Sequence, residues 1–363
     1  GIQKYEYAIG DTSGGTDVLS WTDNATATSV NKTGLTLTSG TTYYISVRAT
    51  DNVGNISAIA TSDGITVDTD GPVLGIPIEG SLTTDIDYQN SGSELIIAWS
   101  GSDSLSGIAL YEYALGVTPG GTSTVGWTSA GTATADTLVF TIYQPLIEGV
   151  TYYLSVRATD VAGNMSAPVN TDGITIDLTA PAGSTVSDGT GADISYSGSD
   201  TTLSANWAAF TEIVSGILKY EYAIGDTIGG TELVTWTDNS TTTSVTKSGL
   251  TLSNGTAYYI SVRATDNAGN VATVVTSDGV TVDTAVPSAG SVSDSTAADL
   301  DWTKSTTTLT AVWTGFSDAL SGIQKYEYAI GDTSGGTDVL SWTDNATATS
   351  VNKTGLTLTS GTT

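Results

Sequence analysis

The chain has 363 residues and a formal net charge of −28, from 38 acidic and 10 basic residues. This charge argues against nucleic acid as a partner, because phosphate binding requires clustered Lys and Arg. The lack of Cys and His excludes disulfides, thiolate or imidazole catalysis and nearly all zinc sites. No apolar run approaches the roughly 20 residues of a membrane helix, so we expect no membrane insertion in this segment.

Internal repeats set the domain organisation. The opening segment, residues 1–10, recurs three times with similar sequence, at spacings of 106, 109 and 106 residues. Residues 322–363 repeat residues 1–42 without a change, so the larger period is 321 residues, or three domains. This repetition predicts a recently duplicated unit in a much longer array, and the chain opens in mid-pattern, as expected for a piece of such an array.

One full repeat, residues 180–284, predicts seven strands after its proline. In chain order they are Thr202–Trp207, Ile217–Ile224, Leu233–Trp236, Thr241–Thr246, Leu250–Leu252, Tyr258–Thr265 and Asp278–Asp283. Short Thr, Val and Tyr-rich strands separated by frequent turn residues are typical of an antiparallel sandwich. No segment shows a sustained helical period. In the second repeat the fourth and fifth strands are rewritten around residues 139–143, Val-Phe-Thr-Ile-Tyr.

The sixth strand is the most regular element and occurs as Tyr43–Thr50, Tyr152–Thr159 and Tyr258–Thr265. Its apolar and polar residues alternate, which predicts one buried and one solvated face. The Asp-x-x-Gly-Asn that follows predicts a turn, since Gly and Asn tolerate positive φ and Asp can cap its own backbone. We expect the tyrosine that opens this strand, and Trp207 on the first strand of the repeat, to be buried.

Three motifs recur in a fixed order. A Trp lies on the strand before the Ile-x-x-Tyr-x-Tyr strand, and a Leu-x-Leu-x-x-Gly-Thr-x-Tyr segment, residues 250–258, leads into the sixth strand. This layout resembles the fibronectin type III family, in the tandem form found on bacterial surface proteins. The resemblance implies seven-stranded antiparallel Greek-key β-sandwiches (fibronectin type III/Ig-like) and places Tyr43, Tyr152 and Tyr258 at the family's tyrosine corner. The fold itself hosts many functions.

Domain boundaries follow from prolines. Pro72, Pro181 and Pro287 each lie four residues after an Asp, and proline cannot extend the preceding strand ladder. The predicted domains are a partial repeat over residues 1–71, complete repeats over 72–179 and 180–285, and a partial repeat over 286–363. Short proline-containing linkers predict neighbours nearly in line, with restricted bending.

No catalytic centre is expected. The glutamates of the Ile-x-x-Tyr-x-Tyr strand, such as Glu221, stand singly on its outward side, and Leu110 replaces the neighbouring lysine in the second repeat. Paired carboxylates or a Ser-Lys pair would be needed without His or Cys. The outward Tyr259 beside Arg263, with its counterparts in the other repeats, would suit a sugar or a neighbouring strand, or simple packing on the sheet surface.

Acidic residues from three segments are expected to meet at each junction. In the fibronectin topology, two loops of one repeat lie together and face the incoming linker. Three carboxylates with backbone carbonyls would supply the about six to eight oxygens that calcium takes, although Asp and Asn also populate such turns without a metal. The candidate ligands are Asp68, Asp70, Asp103 and Asp160 at the first junction, Asp177, Glu212 and Asp266 at the second, and Asp283 and Asp318 at the third.

The repeat pattern favours a structural role. Our main hypothesis is a spacer in an extracellular bacterial stalk, adhesin or surface filament, whose partners are other copies of the repeat in a longer chain or fibre. One alternative is a set of modules that bind polysaccharide or protein through the Tyr/Arg face. Another is the accessory region of a secreted polysaccharide-degrading enzyme. Near-identical copies favour the spacer hypothesis, because repeated copies of one domain extend the length of a stalk.

Overall fold

The computed structural model describes residues 1–141, 144–183 and 185–361. In these ranges the regular elements are β-strands, without an α-helix, and therefore without a helix long and apolar enough to cross a membrane. The chain divides into two compact units, Gly1–Thr179 and Ala180–Thr363. The division lies where the proline pattern ends the second repeat. The finer boundaries near residues 71 and 285 stay predictions.

The first unit contains two repeats. Residues 1–71 contain β1 (Ile2–Gly10), β2 (Leu19–Asp23), β3 (Thr42–Asp51), β4 (Ala60–Thr61) and β5 (Ile65–Thr66). Residues 72–179 contain β6 (Val73–Leu74), β7 (Ile78–Glu79), β8 (Tyr88–Gln89), β9 (Glu94–Ala98), β10 (Gly101–Ser102), β11 (Ile108–Gly116), β12 (Val125–Gly131), β13 (Ala135–Val139), β14 (Thr151–Asp160), β15 (Val169–Asn170) and β16 (Ile174–Ile176).

The second unit repeats this layout. Residues 180–285 contain β17 (Val186–Asp188), β18 (Tyr196–Ser197), β19 (Thr202–Trp207), β20 (Ile217–Gly225), β21 (Val234–Asp238), β22 (Ser244–Ser248), β23 (Ala257–Asp266), β24 (Val275–Thr276) and β25 (Val280–Val282). Residues 286–361 contain β26 (Ser291–Ser293), β27 (Leu309–Thr314), β28 (Glu327–Ile330), β29 (Leu340–Asp344) and β30 (Ser350–Lys353).

Each complete repeat is a sandwich of two sheets. In the third repeat one sheet has the order β17-β19-β22, and the other has the order β18-β25-β23-β20-β21 with β24 also on β23. The second repeat has the corresponding sheets β13-β9-β7 and β12-β11-β14-β16-β8, with β15 on β14, and in addition a two-stranded sheet of β6 and β10. Apolar residues of both sheets fill the space between them, and the predicted all-β sandwich is confirmed.

The strand prediction was wrong in two details. The short strands β8 and β18 pair in parallel with β16 and β25, so the sandwich is not wholly antiparallel. These short strands follow the first strand of the repeat, and here the chain crosses from one sheet to the edge of the other. Leu250–Leu252 is a loop rather than a strand, because both leucine N–H groups donate to the loop carbonyls of Thr201 and Asp200. Residues 142 and 143 of the rewritten segment lie outside the described residues.

The core confirms the predicted inner face. Trp207 and Tyr258 are each 5% exposed and belong to one apolar cluster of the third repeat. In the first repeat the corresponding face is partly open, against the prediction. Ile45 and Val47 are 41% and 37% exposed, because residues 1–71 form a single sheet without a second sheet over this face.

The tyrosine corner is present in three repeats. The hydroxyl of Tyr258 accepts a hydrogen bond of 3.0 Å from the backbone N–H of Ser253. Tyr152 accepts the same bond at 3.0 Å, and Tyr43 at 2.9 Å. In each case the donor lies five residues upstream. The bond fixes the loop that leads into the sixth strand of the repeat.

Tyr258→Phe is expected to destabilise the third repeat by about 1–2 kcal/mol, because the partly buried N–H of Ser253 loses its acceptor. Urea denaturation followed by circular dichroism measures the change. Tyr196→Phe is the control: this side chain is exposed, and we expect a change below about 0.5 kcal/mol. Equal effects of the two substitutions would contradict the role assigned to the corner.

Candidate cation sites and the outer sheet face

The structure brings three predicted ligands of the first junction together. One carboxylate oxygen each of Asp68, Asp103 and Asp160 lies within 4.8 Å of the others. Asp68 follows β5, Asp103 follows β10, and Asp160 ends β14. The turn and loop sequences that follow these strands therefore deliver three carboxylates to one place, which is the arrangement that the sequence predicted.

These carboxylates also organise their own loops. Asp160 Oδ1 accepts the backbone N–H of Asn164 at 2.8 Å, and its Oδ2 accepts the Asn164 side-chain amide at 2.9 Å. Asp103 Oδ1 accepts the N–H of Gly107 at 2.7 Å. Burial acts to raise the pKa of Asp160, but the bonds from Asn164 and neighbouring N–H groups outweigh it, and the pKa is lowered. Asp160 is therefore ionised at neutral pH.

Asp70 lies apart from this group. Its Oδ2 accepts a bond of 3.0 Å from the Ser39 hydroxyl, and its backbone N–H donates to Asp68 Oδ1 at 3.1 Å. The structure thus directs the Asp70 carboxylate towards the first repeat. Its role as a calcium ligand remains a prediction.

The remaining predicted ligands belong to the later junctions. Asp177 is buried at the end of the first unit, and its N–H donates to Gln89 at 2.9 Å. Glu212 and Asp266 belong to the second unit, where a carboxylate oxygen of each lies within 4.8 Å of the other. Because these residues fall in separate units, the junction predicted from them stays a prediction.

Asp283 and Asp318 of the third junction both lie in the second unit. Asp283 Oδ2 accepts the N–H of Ser321 at 3.0 Å, and Asp318 Oδ1 accepts the N–H of Gly322 at 2.9 Å. A side-chain hydrogen bond from Ser321 is the main cause of the lowered pKa of Asp283. This carboxylate is therefore ionised and already tied to the neighbouring repeat.

Sequence reasoning missed two further acidic groups. Each gathers three carboxylates whose oxygens lie within 4.8 Å of one another. One group consists of Glu79, Asp85 and Asp172, and the other consists of Asp188, Asp193 and Asp278. A signal was available: an Asp-Gly pair precedes the last strand of each repeat, as in Asp172-Gly173 and Asp278-Gly279. The buried first member of each group has no comparably repeated pattern.

The outer face of the larger sheet carries an Arg–Trp–Glu group. The Arg263 guanidinium lies 4.4 Å from the Trp236 ring centroid, and its Nε donates to Glu221 at 3.0 Å. Arg48 and Arg157 make the corresponding contacts with their own Trp at 4.3 Å. The sequence had placed Arg263 beside Tyr259, but its aromatic partner is Trp236 of β21, which is separated from the strand of Arg263 by β20.

The outward tyrosines pack on glycines. A methyl group placed on Gly279 would lie 2.6 Å from Cε1 of Tyr259, and Gly173 and Tyr153 have the same relation at 2.7 Å. The ring therefore covers the backbone of the turn before the last strand. Packing on the sheet surface explains these tyrosines without a ligand.

The strand order of the two complete repeats and the recurrent tyrosine hydrogen bond decide the fold. The repeats are fibronectin type III-like β-sandwiches. No model of a protein family matches the chain.

The chain is similar in sequence to three curated proteins. Exoglucanase B of Cellulomonas fimi is 35% identical over 276 residues, which cover 73% of this chain and 22% of that protein. Endoglucanase B of the same organism is 31% identical over 248 residues, with coverage of 66% and 21%. Chitinase A1 of Niallia circulans is 29% identical over 197 residues, with coverage of 54% and 24%. The chain spans between a fifth and a quarter of the length of these relatives.

Three solved structures align with the chain at low TM-scores. Chicken CNTN1 domains FN1–FN3 align with a TM-score of 0.35 and 16% identity, covering 78% of this chain and 89% of that one. Domains A168–A170 of titin give 0.39 and 16%, with coverage of 66% and 75%. The fibronectin(III)-like modules of Clostridium thermocellum CbhA give 0.35 and 13%, with coverage of 57% and 94%.

Proposed function

We propose that the fibronectin type III-like repeats form a non-catalytic spacer in an extracellular, polysaccharide-active protein, where they hold functional modules apart. Two of the relatives are named as glucanases and one as a chitinase, and the chain matches only a small part of each. This favours the accessory-region alternative over a stalk of an adhesin or filament. The spacer role itself is common to both.

The observation that carries the proposal is the fixed connection between repeats of the first unit. Asp68 Oδ2 accepts the backbone N–H of Ser106 at 3.1 Å. The side-chain amide of Asn164 donates to the carbonyl of Asp68 at 3.1 Å. From the other side, the Ser39 hydroxyl donates to Asp70 at 3.0 Å. The linker is therefore bonded to both repeats, which restricts bending at this joint.

The same connection recurs in the second unit. Asp283 accepts the N–H of Ser321 at 3.0 Å, as Asp68 does from Ser106. On the other side, the N–H of Thr284 donates to Asn254 Oδ1 at 2.7 Å. Repetition of one bonding pattern at two joints supports a linker selected for a fixed geometry. Such a linker keeps the distance between the flanking modules fixed, whereas a flexible linker would let them approach each other.

Calcium would strengthen the joint of the first unit. Asp68, Asp103 and Asp160 concentrate three negative charges within 4.8 Å, and their repulsion opposes the closed joint. A bound calcium ion would offset this repulsion, and the linker residue Asp68 would be one of its ligands. The three carboxylates accept hydrogen bonds that hold the joint and its loops without a metal. The spacer role therefore does not depend on calcium binding.

The binding-module alternative depends on the outer sheet face. Sugar rings stack on open aromatic faces, but an arginine lies over the Trp21, Trp127 and Trp236 rings at 4.3–4.4 Å. A sugar would have to displace a guanidinium that is also paired with a glutamate. Retention on cellulose or chitin that is lost in Trp236→Ala would nevertheless favour this alternative.

Asp68→Ala is expected to loosen the joint between the first two repeats. Because the sequence lacks Cys, Thr28→Cys and Thr122→Cys provide unique exposed positions for spin labels on the two repeats. Pulsed electron spin resonance should give a narrow distance distribution in the otherwise unchanged protein and one at least about twice as broad with Asp68→Ala, since a linker acceptor is lost.

The control is Asp11→Ala, which removes the same charge from an exposed position of the first repeat. Equally broad distributions with and without Asp68 would contradict the spacer proposal. Addition of calcium to the labelled protein tests the metal separately. Narrowing by calcium that disappears with Asp103→Asn would support the junction site, whereas no change would remove calcium and leave the spacer role intact.

A further inference from the structure

A buried glutamate without a hydrogen-bond partner ends β7 in the second repeat. Glu79, the last residue of β7, is 0% exposed, and neither of its carboxylate oxygens has a hydrogen-bond partner. A buried charge of this kind is costly unless it is paired or bound to a metal. The position therefore requires an explanation beyond packing.

Two exposed carboxylates face this glutamate. Asp85 comes from the loop after β7, and its Oδ1 accepts the backbone N–H of Glu79 at 3.2 Å. Asp172 comes from the turn before β16, where Gly173 adopts a φ of +106°. One oxygen of each acid lies within 4.8 Å of the others. The buried acid thus lies at the base of a group that opens to solvent through the two aspartates.

No basic side chain is available to neutralise the group within its repeat. Arg157 is the sole Lys or Arg between residues 72 and 179, and it is engaged with Glu112 at 2.8 Å and with the Trp127 ring. Burial raises the pKa of Glu79 to about 8. The Thr171 side chain and the Gly173 N–H act to lower this pKa but do not offset burial, and the negative charges of Asp85 and Asp172 add to the increase. The protein alone therefore stabilises these charges poorly.

The third repeat carries the same arrangement with aspartate in the buried position. Asp188, at the end of β17, is 0% exposed, and its Oδ1 has no hydrogen-bond partner. Its Oδ2 accepts the N–H of Gly279 at 3.1 Å, and its own N–H donates to Asp193 at 2.7 Å. Asp278 supplies the third carboxylate, within 4.8 Å of the other two.

The recurrence argues against an accident of one loop. Glu79 and Asp188 differ in length, yet each is buried, each has an oxygen without a partner and each meets an aspartate from the following loop and one from an Asp-Gly turn. The fourth repeat has the bond between the strand end and the following loop as well: the N–H of Asp294 donates to Asp299 at 3.0 Å, as that of Asp188 does to Asp193.

We propose that the acidic group at the end of β7 in the second repeat, and the corresponding group at the end of β17 in the third, are calcium sites. The first consists of Glu79, Asp85 and Asp172, and the second consists of Asp188, Asp193 and Asp278. Three carboxylates offer hard oxygen ligands, and the exposed side leaves room for the water ligands that complete calcium coordination. The ion would join the end of β7 to the turn before β16 in the second repeat, and the end of β17 to the turn before β25 in the third. These sites use none of the junction residues and are independent of the spacer proposal.

The test counts calcium ions bound to the whole chain. Equilibrium dialysis of the chelator-treated protein against calcium chloride, with excess magnesium present, should give about two fewer bound ions per chain for Glu79→Gln with Asp188→Asn. Calcium should also raise the melting temperature of the second and third repeats, and the double substitution should abolish that rise. The matched control, Glu148→Gln with Asp226→Asn, removes exposed carboxylates of the same two repeats that belong to no such acidic group in the described part of the chain, and should leave the ion count unchanged.

The outcomes separate the possibilities. An unchanged ion count in the double variant, or no calcium binding by the unsubstituted chain, would overturn the proposal. An equal loss of ions in the control variant would show that binding follows overall negative charge and not these two groups, and would also overturn the proposal. If circular dichroism shows that the double variant is unfolded, Asp85→Asn with Asp193→Asn replaces it, because both side chains are exposed. That variant should lose the same two ions.

Discussion

Replacing Trp207 with Ala is expected to lower the free energy of unfolding of the third repeat by about 3–5 kcal/mol. The indole is 5% exposed and packs edge-on against Tyr220, with ring centroids 5.8 Å apart. Its N–H has no hydrogen-bond partner, so the loss is one of packing. Its own strand, β19, is paired on both sides, with β17 and β22, and therefore cannot shift to close the resulting cavity.

Urea denaturation of residues 180–285, followed by circular dichroism, measures this effect. The segment contains both sheets and its own apolar cluster, so we expect it to unfold alone in one cooperative transition. Trp236→Ala is the control, since that ring lies half-buried on the outer face under Arg263. Trp236→Ala should lower the free energy of unfolding clearly less than Trp207→Ala does. A loss below about 1 kcal/mol for Trp207→Ala would mean that the indole does not hold the two sheets together.

Gly279→Ala is expected to destabilise the same repeat by about 2–4 kcal/mol. Gly279 has a φ of +100°, which L-residues with a side chain rarely adopt. The added methyl group would also lie 2.6 Å from Cε1 of Tyr259. The ring cannot move away without exposing the turn that it covers. Backbone strain and overpacking therefore act together.

Gly229→Ala separates these two effects. Gly229 has a φ of +78°, and a methyl group there would meet no atom within 4 Å. It should cost about 1 kcal/mol, from backbone strain alone. Tyr259→Ala combined with Gly279→Ala should recover part of the larger loss. Equal costs at the two glycines, measured by the same denaturation, would show that the ring does not constrain the turn.

Much of the candidate junction could be predicted from sequence. The Asp at the end of the sixth strand lies directly before a Gly-Asn turn, and the linker Asp lies four residues before a proline. Local patterns of this kind place side chains at strand ends, and the expected topology then brings those ends together. Asp68, Asp103 and Asp160 meet for this reason. Asp70 departs because a nearby serine hydroxyl, Ser39, offers it a donor.

The family resemblance implied the tyrosine corner. The sequence by itself determined the long strands, the repeat period and, in the two complete repeats, the buried and solvated sides of the sixth strand. These follow from alternation, turn residues and spacing, which act over a few residues along the chain. Burial of particular polar groups does not, because it depends on which distant segments cover them. Gly279 and Asp188 are 91 residues apart and meet only when the last strand, β25, pairs with β18, the short strand that follows Asp188 in the chain.

Only the tertiary structure decided that Glu79 and Asp188 are buried, and that Arg263 lies over a tryptophan rather than a tyrosine. The parallel pairing of β8 and β18 with the last strands was likewise set by the packing of the two sheets. In each case the contact joins segments that are far apart in the chain, so no local sequence pattern predicts it. Strand order and register determine which residues become cross-strand neighbours.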